Sequence, residues 1–239
     1  MSMKIAIVGY GSMGKEIETV AQLNNIKITN IFDIDNPIAD NSYDFDVAID
    51  FSTPQSVINN VKLLAKLKKN IVIGTTSWYE NSEEVKNICL ENEIGCIWSS
   101  NFSIGMQIFF RILTETTKLC DNFNLYDMFI SDIHHSNKID SPSGTAVKLA
   151  NIIIQNSKQK QKILTEQINR KINSDELHVS AIRGGSITGT HTVYFDSNAD
   201  TIELTHRAKN RRGFAEGAII AANWIYNKKG FYCFENVLF

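Results

Sequence analysis

Proline is scarce in this 239-residue chain, three in all, and its four cysteines (Cys89, Cys96, Cys120 and Cys233) include no C-x-x-C pair. Such spacing points to neither a disulfide framework nor a thiolate metal cage, and the thiols are expected to be reduced. No run approaches the roughly 18 apolar residues that a membrane span requires. Met1–Val8 lacks the basic start, apolar core and cleavage site of a secretion signal. Charge of one sign is not in surplus: 24 Lys and Arg face 26 Asp and Glu, a net of −2. With that balance no basic surplus points to nucleic acid or an anionic membrane. What is present is an ordinary soluble composition, 43% apolar and 21% charged, long enough for one large domain or two modest ones. A cytoplasmic enzyme or small-molecule binder is the expected class.

The apolar pattern changes character along the chain. Lys4–Val8 is a β-branched run stopped by Gly9, as a buried parallel strand should be. Behind it Ile17, Val20, Ala21 and Leu23 recur at helical spacing. Further strands are expected at Ile26–Phe32, Phe45–Phe51, Ile71–Ile73 and Gly95–Ser99. Between them lie a helix with Pro54 in its first turn, running to about Lys68, and a helix over Ser82–Asn92 with a cap signal at Ser82. This alternation predicts a doubly wound parallel sheet of the Rossmann kind. After Asn101, helices are expected at Ile104–Leu119 and Ser143–Gln155, with a strand at Leu125–Ile133. A Lys/Gln-rich stretch, Asn156–Asp175, reads as a solvated loop or helix. Three strands without helices between them (Leu177–Ile182, His191–Phe195, Thr201–Thr205) predict an open mixed or antiparallel sheet, hence a second, α+β domain. Gly213–Tyr226 is helical again.

Gly9-Tyr10-Gly11-Ser12-Met13-Gly14 follows a strand and opens a helix. In G-x-G-x-x-G the first glycine permits the tight turn and the second lets backbone approach a pyrophosphate. The third allows close helix–strand packing, with the phosphate on the helix N-terminus. Asp33, at the end of the second strand, is placed to accept hydrogen bonds from the adenosine ribose. Its carboxylate repels a 2′-phosphate and Ile34 follows it instead of an arginine, so NADH is expected over NADPH. Gly74-Thr75-Thr76 and Ser99-Ser100-Asn101-Phe102 follow strands at their carboxyl ends, where open α/β sheets bind ligands. Their Thr and Asn side chains can bond ribose or nicotinamide and Phe102 can cover the ring; ordinary hydrogen-bonded turns are the competing reading.

The densest chemistry lies in Asp132-Ile-His134-His135-Ser-Asn-Lys138-Ile-Asp140-Ser-Pro142-Ser143-Gly144-Thr145-Ala. Pro142 and Ser143 signal a helix start. Exposed first-turn amides at Gly144 and Thr145, with the helix dipole and the Lys138 charge, make a carboxylate or phosphate site. A histidine supplies or takes a proton near neutral pH. On a strand His134 and His135 point to opposite faces, which argues against a two-histidine metal site, although Asp132 or Asp140 could join one; no metal is expected. His178, His191 and His206 fall in strand-like runs and read as packed or sheet-surface residues, and Arg211 and Arg212 as a solvated pair or a carboxylate contact.

Written out, HHSNKIDSPSGTA resembles the signature of the dihydrodipicolinate (4-hydroxy-tetrahydrodipicolinate) reductase family. The resemblance extends over nearly the whole chain, through the glycine loop, GTT at 74–76, SSNFS at 99–103, GTHTVYF at 189–195 and ELTHRA at 203–208. It implies NAD(P)H-dependent reduction of 4-hydroxy-tetrahydrodipicolinate in the diaminopimelate route to lysine. It implies a dinucleotide domain of residues 1–103 plus 211–239, and an inserted substrate domain, 104–210, whose sheet assembles a homotetramer. It also implies that His134 donates and accepts the proton, with Lys138 a second donor. His135, Gly144 and Thr145 would hold the substrate's carboxylates, and the glycine loop, Asp33, 74–76 and 99–102 the cofactor. The chain departs from the family in its shorter glycine loop, in Ser136 where arginine is common, and in Asp132 where glutamate is usual. Two other readings stay open on the residues alone: another small-acid or amino-acid dehydrogenase of similar architecture, and a dinucleotide-sensing regulator without turnover.

Overall fold

The computed structural model describes residues 3–239; Met1 and Ser2, which the sequence reading puts at the start of the first domain, lie outside the described residues. The chain divides into two compact units, one running to Ile104 and resumed over Arg211–Phe239, the other Gly105–Asn210.

In the first unit β1 (Lys4–Val8), β2 (Lys27–Phe32), β3 (Val47–Asp50), β4 (Asn70–Ile73) and β5 (Gly95–Trp98) are parallel. With β11 (Gly230–Cys233) at one edge, their spatial order is β11-β5-β4-β3-β1-β2. Side chains alternate through this sheet as the two-residue period requires. Ile5, Ile7, Val47 and Ile49 face α1 (Ser12–Leu23) and α6 (Arg212–Ile225), while Ala6, Val8, Ala48 and Ile71 face α2 (Val57–Lys66) and α3 (Ser82–Glu91). Both faces are covered, hence the near-continuous apolar strands. Chain order reverses direction between β1 and β3, the switch point at which such sheets open a crevice.

The second unit holds α4 (Ile104–Asp121, entered from the first unit), β6 (Asp127–His134), α5 (Gly144–Asn156), β7 (Lys162–Leu164), β8 (Glu176–Arg183), β9 (Gly189–Asp196) and β10 (Thr201–Ala208). Its sheet has the order β10-β9-β6-β8-β7 and is mixed: β8 runs parallel to β6 and β7, and β9 antiparallel to β6 and β10. Met128, Ile130, Leu177, Val179, Val193 and Phe195 on one face pack against α4 and α5. No helix of the described residues is long and apolar enough to cross a membrane.

Several local expectations are corrected. Pro54 lies in a turn before α2, which starts only at Val57. Ser82 is already helical; the residue before α3 is Asn81, after a 3₁₀ turn over Tyr79–Asn81, and no side chain caps it. The polar stretch 156–175 contributes the short β7. The C-terminal β11 and α7 (Phe234–Val237) were not anticipated: β11 is half-buried at an edge, so its residues carry no clean alternation.

Candidate active site

Register sets the polar edge of the first unit. Val8 pairs with Phe32 and Asp50, Asp50 with Ile73, and Ile73 with Trp98. The segments that follow these residues (9–14, Asp33, 51–54, 74–76 and 99–102) therefore leave one edge of the sheet together. Gly9 has φ +88°, and a Cβ there would stand 2.4 Å from the Phe51 carbonyl oxygen; one on Gly14 would stand 2.3 Å from that of Gly9. Gly11 differs, since among the described residues nothing lies within 4 Å of its missing Cβ. Its backbone borders a cavity of about 340 Å³ lined by Gly11, Ser12, Met13, Phe51, Ser52, Pro54 and Gly74–Thr76. Gly11 is also the N-cap of α1, with no side chain bonded to the first-turn amides. A bare backbone, a helix N-terminus and a cavity at the switch point fit the pyrophosphate of a dinucleotide.

Asp50, which sequence reasoning passed over, holds these loops. It is fully buried at the end of β3. Its Oδ1 accepts from the Ser52 amide and hydroxyl and from the Thr75 hydroxyl (2.9, 2.7 and 2.8 Å), and its Oδ2 from the Asn60 amide group (2.9 Å). Burial pushes its carboxyl up from the ordinary value, and the hydrogen bonds oppose that rise. The signal was there: an acid in an otherwise apolar strand must find partners.

Other expected cofactor residues are distributed unequally. Thr76 and Ser100 are exposed, whereas Thr75 is buried with its hydroxyl on Asp50. Ser99 and Asn101 form a hydrogen-bonded turn, Ser99 Oγ donating to the Asn101 carbonyl and the Asn101 side chain accepting from the Ser103 amide. Phe102 is 2% exposed, its ring packed between Phe51 and Phe234. It is a core residue rather than a cover for a ligand's ring, because the apolar layer under α6 claims it. Asp33 is exposed at the end of β2, with Oδ1 accepting from the Asp35 and Asn36 amides. The Tyr10 hydroxyl donates to Glu18, and the Lys15 ammonium lies 5.8 Å from the Tyr10 ring centre.

In the second unit, alternation along β6 puts Asp132 and His134 on the helix-covered face beyond Met128 and Ile130. Pairing then sets His191 opposite Asp132, Arg183 opposite His134 and His206 opposite His191. Asp132 is fully buried. Its Oδ1 accepts from the Ser143 hydroxyl at 2.8 Å and lies 3.0 Å from His134 Nδ1 and 3.1 Å from His191 Nδ1. Its Oδ2 accepts from the Ser143 amide (2.8 Å) and Arg183 (2.9 Å). Ser143 is the N-cap of α5, its hydroxyl accepting from the Ala146 amide. Among the described residues nothing lies within 4 Å of a Cβ built on Gly144, so the first turn of α5 is open on that side. Strand geometry ends at His134. His135 begins the turn carrying Lys138, whose ammonium pairs with Asp140 at 2.7 Å.

Electrostatics follow from burial. Burial pushes His134 from 6.5 down to about 4; the Asp132 charge resists this, while His191, Lys138 and Arg183 add to it. Burial would raise the Asp132 carboxyl, but hydrogen bonds from His191, Ser143 and Arg183 outweigh it and hold the group well below the usual carboxylate range. Burial, then His191, lowers His206. Burial likewise opposes the lowering of Asp140, which Lys138 and the Gly144 amide impose. The ligand atoms of Asp132, His134 and His191 lie close enough together to hold a metal ion. Arg183 and both Ser143 donors already bond that carboxylate. His191, read from the sequence as a packed or sheet-surface residue, is buried, and Arg183, which the sequence reading passed over, was detectable only as a polar group on a strand's apolar parity. Arg212 pairs with Glu216 one helical turn on.

Family models for dihydrodipicolinate reductase match the chain in two parts, the N-terminal model over residues 3–102 and the C-terminal one over 105–238. The 4-hydroxy-tetrahydrodipicolinate reductase of Christiangramia forsetii is 39% identical, the match covering 99% of this chain and 98% of that protein. The reductase of the same name from Archaeoglobus fulgidus is 35% identical over 99% and 100%. A solved structure, dipicolinate-bound dihydrodipicolinate reductase from Paenisporosarcina sp. TG-14, has the same fold. Its TM-score is 0.76 at 24% identity, over 99% of this chain and 100% of that one. Matched in both halves and along the full length of its relatives, the chain belongs to the dihydrodipicolinate reductase family.

Proposed function

We propose that this NAD(P)H-dependent reductase, which converts 4-hydroxy-tetrahydrodipicolinate to tetrahydrodipicolinate with loss of water on the diaminopimelate route to lysine, splits its task between its units. The first, residues 1–103 plus 211–239, holds the nicotinamide dinucleotide; the second, 104–210, holds the substrate. The observation that carries this division is the pair of polar centres, one at the carboxyl edge of the parallel sheet and one at the start of α5.

The backbone of Gly9–Gly14 takes the pyrophosphate, with Tyr10, Ser12 and Met13 bordering it. Asp33 takes the adenosine ribose, and 74–76 and 99–102 border the remainder, Phe102 through its backbone. NADH is preferred, because the exposed Asp33 carboxylate repels a 2′-phosphate and neither Ile34 nor Asp35 attracts one. When bound, the reduced cofactor supplies the hydride.

His135 and the Gly144–Thr145 turn bind the carboxylates of the cyclic dicarboxylate, and Lys138 shares its ammonium between substrate and Asp140. His134 is uncharged at neutral pH. A dianion arriving at the start of α5 raises its proton affinity, so the imidazole gains a proton on binding and transfers it in the reaction, with Lys138 as second donor. A positioned acid of this kind contributes about 10²–10⁴-fold in rate.

The chain works in the cytoplasm as a homotetramer. Supporting assembly, the sheet face opposite α4 and α5 carries the stacked pair Phe129–Tyr194 (4.6 Å between centres) and Ile182, 51% exposed. The test of function is a coupled assay with synthase-generated substrate and equal concentrations of NADH or NADPH. Turnover is expected with both and faster with NADH. His134→Ala and Lys138→Ala should each lose most turnover while binding NADH normally; near-normal turnover in either removes its assigned role.

A further inference from the structure

Four residues surround the Asp132 carboxylate, which accepts from both Ser143 groups and from Arg183 and has the Nδ1 atoms of His134 and His191 3.0 and 3.1 Å away. His134 Nδ1 belongs to the proton-transfer imidazole. The amide and hydroxyl of Ser143 belong to the cap of the helix that opens at Gly144 and Thr145. Arg183 donates from the same nitrogen to the carboxylate (2.9 Å) and to the Asp140 carbonyl (2.7 Å), in the segment that carries Lys138. His191 closes the set from the neighbouring strand, its ring 5.1 Å from that of His134. A buried ion pair kept only for stability has no need to touch all of these.

We propose that Asp132 is the positioning residue of the reaction: it holds His134 as the Nδ1–H tautomer, leaving Nε2 as the nitrogen that accepts and releases the proton, and ties that ring to the anion-binding start of α5. This rests on the acid–base reading of His134. The physical reason is that a carboxylate already held by Arg183 and both Ser143 donors stays ionised and can only accept, so a ring nitrogen that bonds it must carry hydrogen. A second observation concerns the other nitrogen. A Cβ on Gly189 would stand 2.9 Å from His134 Nε2, so the glycine keeps that nitrogen uncapped. The charged and titratable groups around the imidazole are Asp132 on β6, Arg183 on β8, His191 on β9 and Lys138 from the turn, with His206 on β10 behind His191.

The test uses the full-length protein labelled with ¹⁵N at histidine, the His134 signals being assigned by their loss in His134→Gln. At neutral pH the wild type should show the Nδ1–H tautomer at His134; finding hydrogen on Nε2 overturns the proposal without reference to turnover. Asp132→Asn should mix the tautomers and lower kcat by roughly 10²–10⁴-fold, the size of a lost acid–base contribution. It should also move the acid limb of the pH profile to lower pH, because the charge that favours imidazolium is gone. Asp132→Glu should restore part of kcat. Ser143→Ala cuts only the arm to α5 and should raise KM for the dicarboxylate more than it lowers kcat, with the tautomer unchanged. Unaltered tautomer and kcat in Asp132→Asn refute the idea; should that variant not fold, the wild-type spectrum and Ser143→Ala decide. Normal turnover in His134→Gln beside a wild-type Nδ1–H signal removes the acid–base reading and supports the anchoring.

Discussion

The low proton affinity of His134 makes the stability of this reductase depend on pH in a defined direction. In the unfolded chain the imidazole titrates at 6.5; folded, at about 4. Because the folded value is the lower one, the unfolded chain binds more protons across that interval. The native state is therefore fully favoured above 6.5 and loses stability as pH falls through about 4. The whole shift corresponds to about 3 kcal/mol, of which about 2.5 kcal/mol is already lost at pH 4.5. The comparison is urea unfolding, followed by far-UV circular dichroism, of wild type and His134→Gln at pH 7 and pH 4.5. Wild type should lose about 2.5 kcal/mol more than the variant. Asp132 is ionised throughout the interval, and contributions from Asp50 and His206 are common to both proteins and cancel. Parallel pH dependences would show that His134 is not held uncharged by burial and would refute the electrostatic account of the site.

Three further outcomes are expected. Gly14→Ala brings a methyl against the Gly9 carbonyl oxygen, backbone against which nothing can yield; titration should show dinucleotide binding weakened at least tenfold. Gly189→Ala crowds the His134 ring, so kcat should fall by an order of magnitude or more in steady-state assays while the dinucleotide Kd is unchanged. Chelator treatment should leave turnover intact, since Arg183 and both Ser143 donors occupy the carboxylate that a metal would need.

Elements were legible wherever one period ruled a segment. The strands ending at Val8 and Phe32 and the helices over 12–23 and 212–225 follow from alternation or helical spacing, and the glycine loop announced a sharp turn at a strand's end. Boundaries failed where local signals compete: Pro54 suits a turn as well as a helix start, and the edge strand β11 is too short and too half-buried to pattern. Phe102 was misread because a loop position next to polar residues says nothing about the layer beneath it.

The one-dimensional order of residues therefore determined the two-unit α/β plan, the switch-point glycines and the cluster of His134, His135 and Lys138 before a helix cap, because these depend on neighbours in the chain. Which groups meet across strands was decided only by folding. Asp132 finds His191 59 positions away and Arg183 51 positions away because pairing register, a long-range property, puts their side chains on one face. Asp50 reaches Thr75 for the same reason. Burial completes the difference, since an imidazole's proton affinity is a property of its surroundings, and those exist only once the sheet and its helices have closed around it.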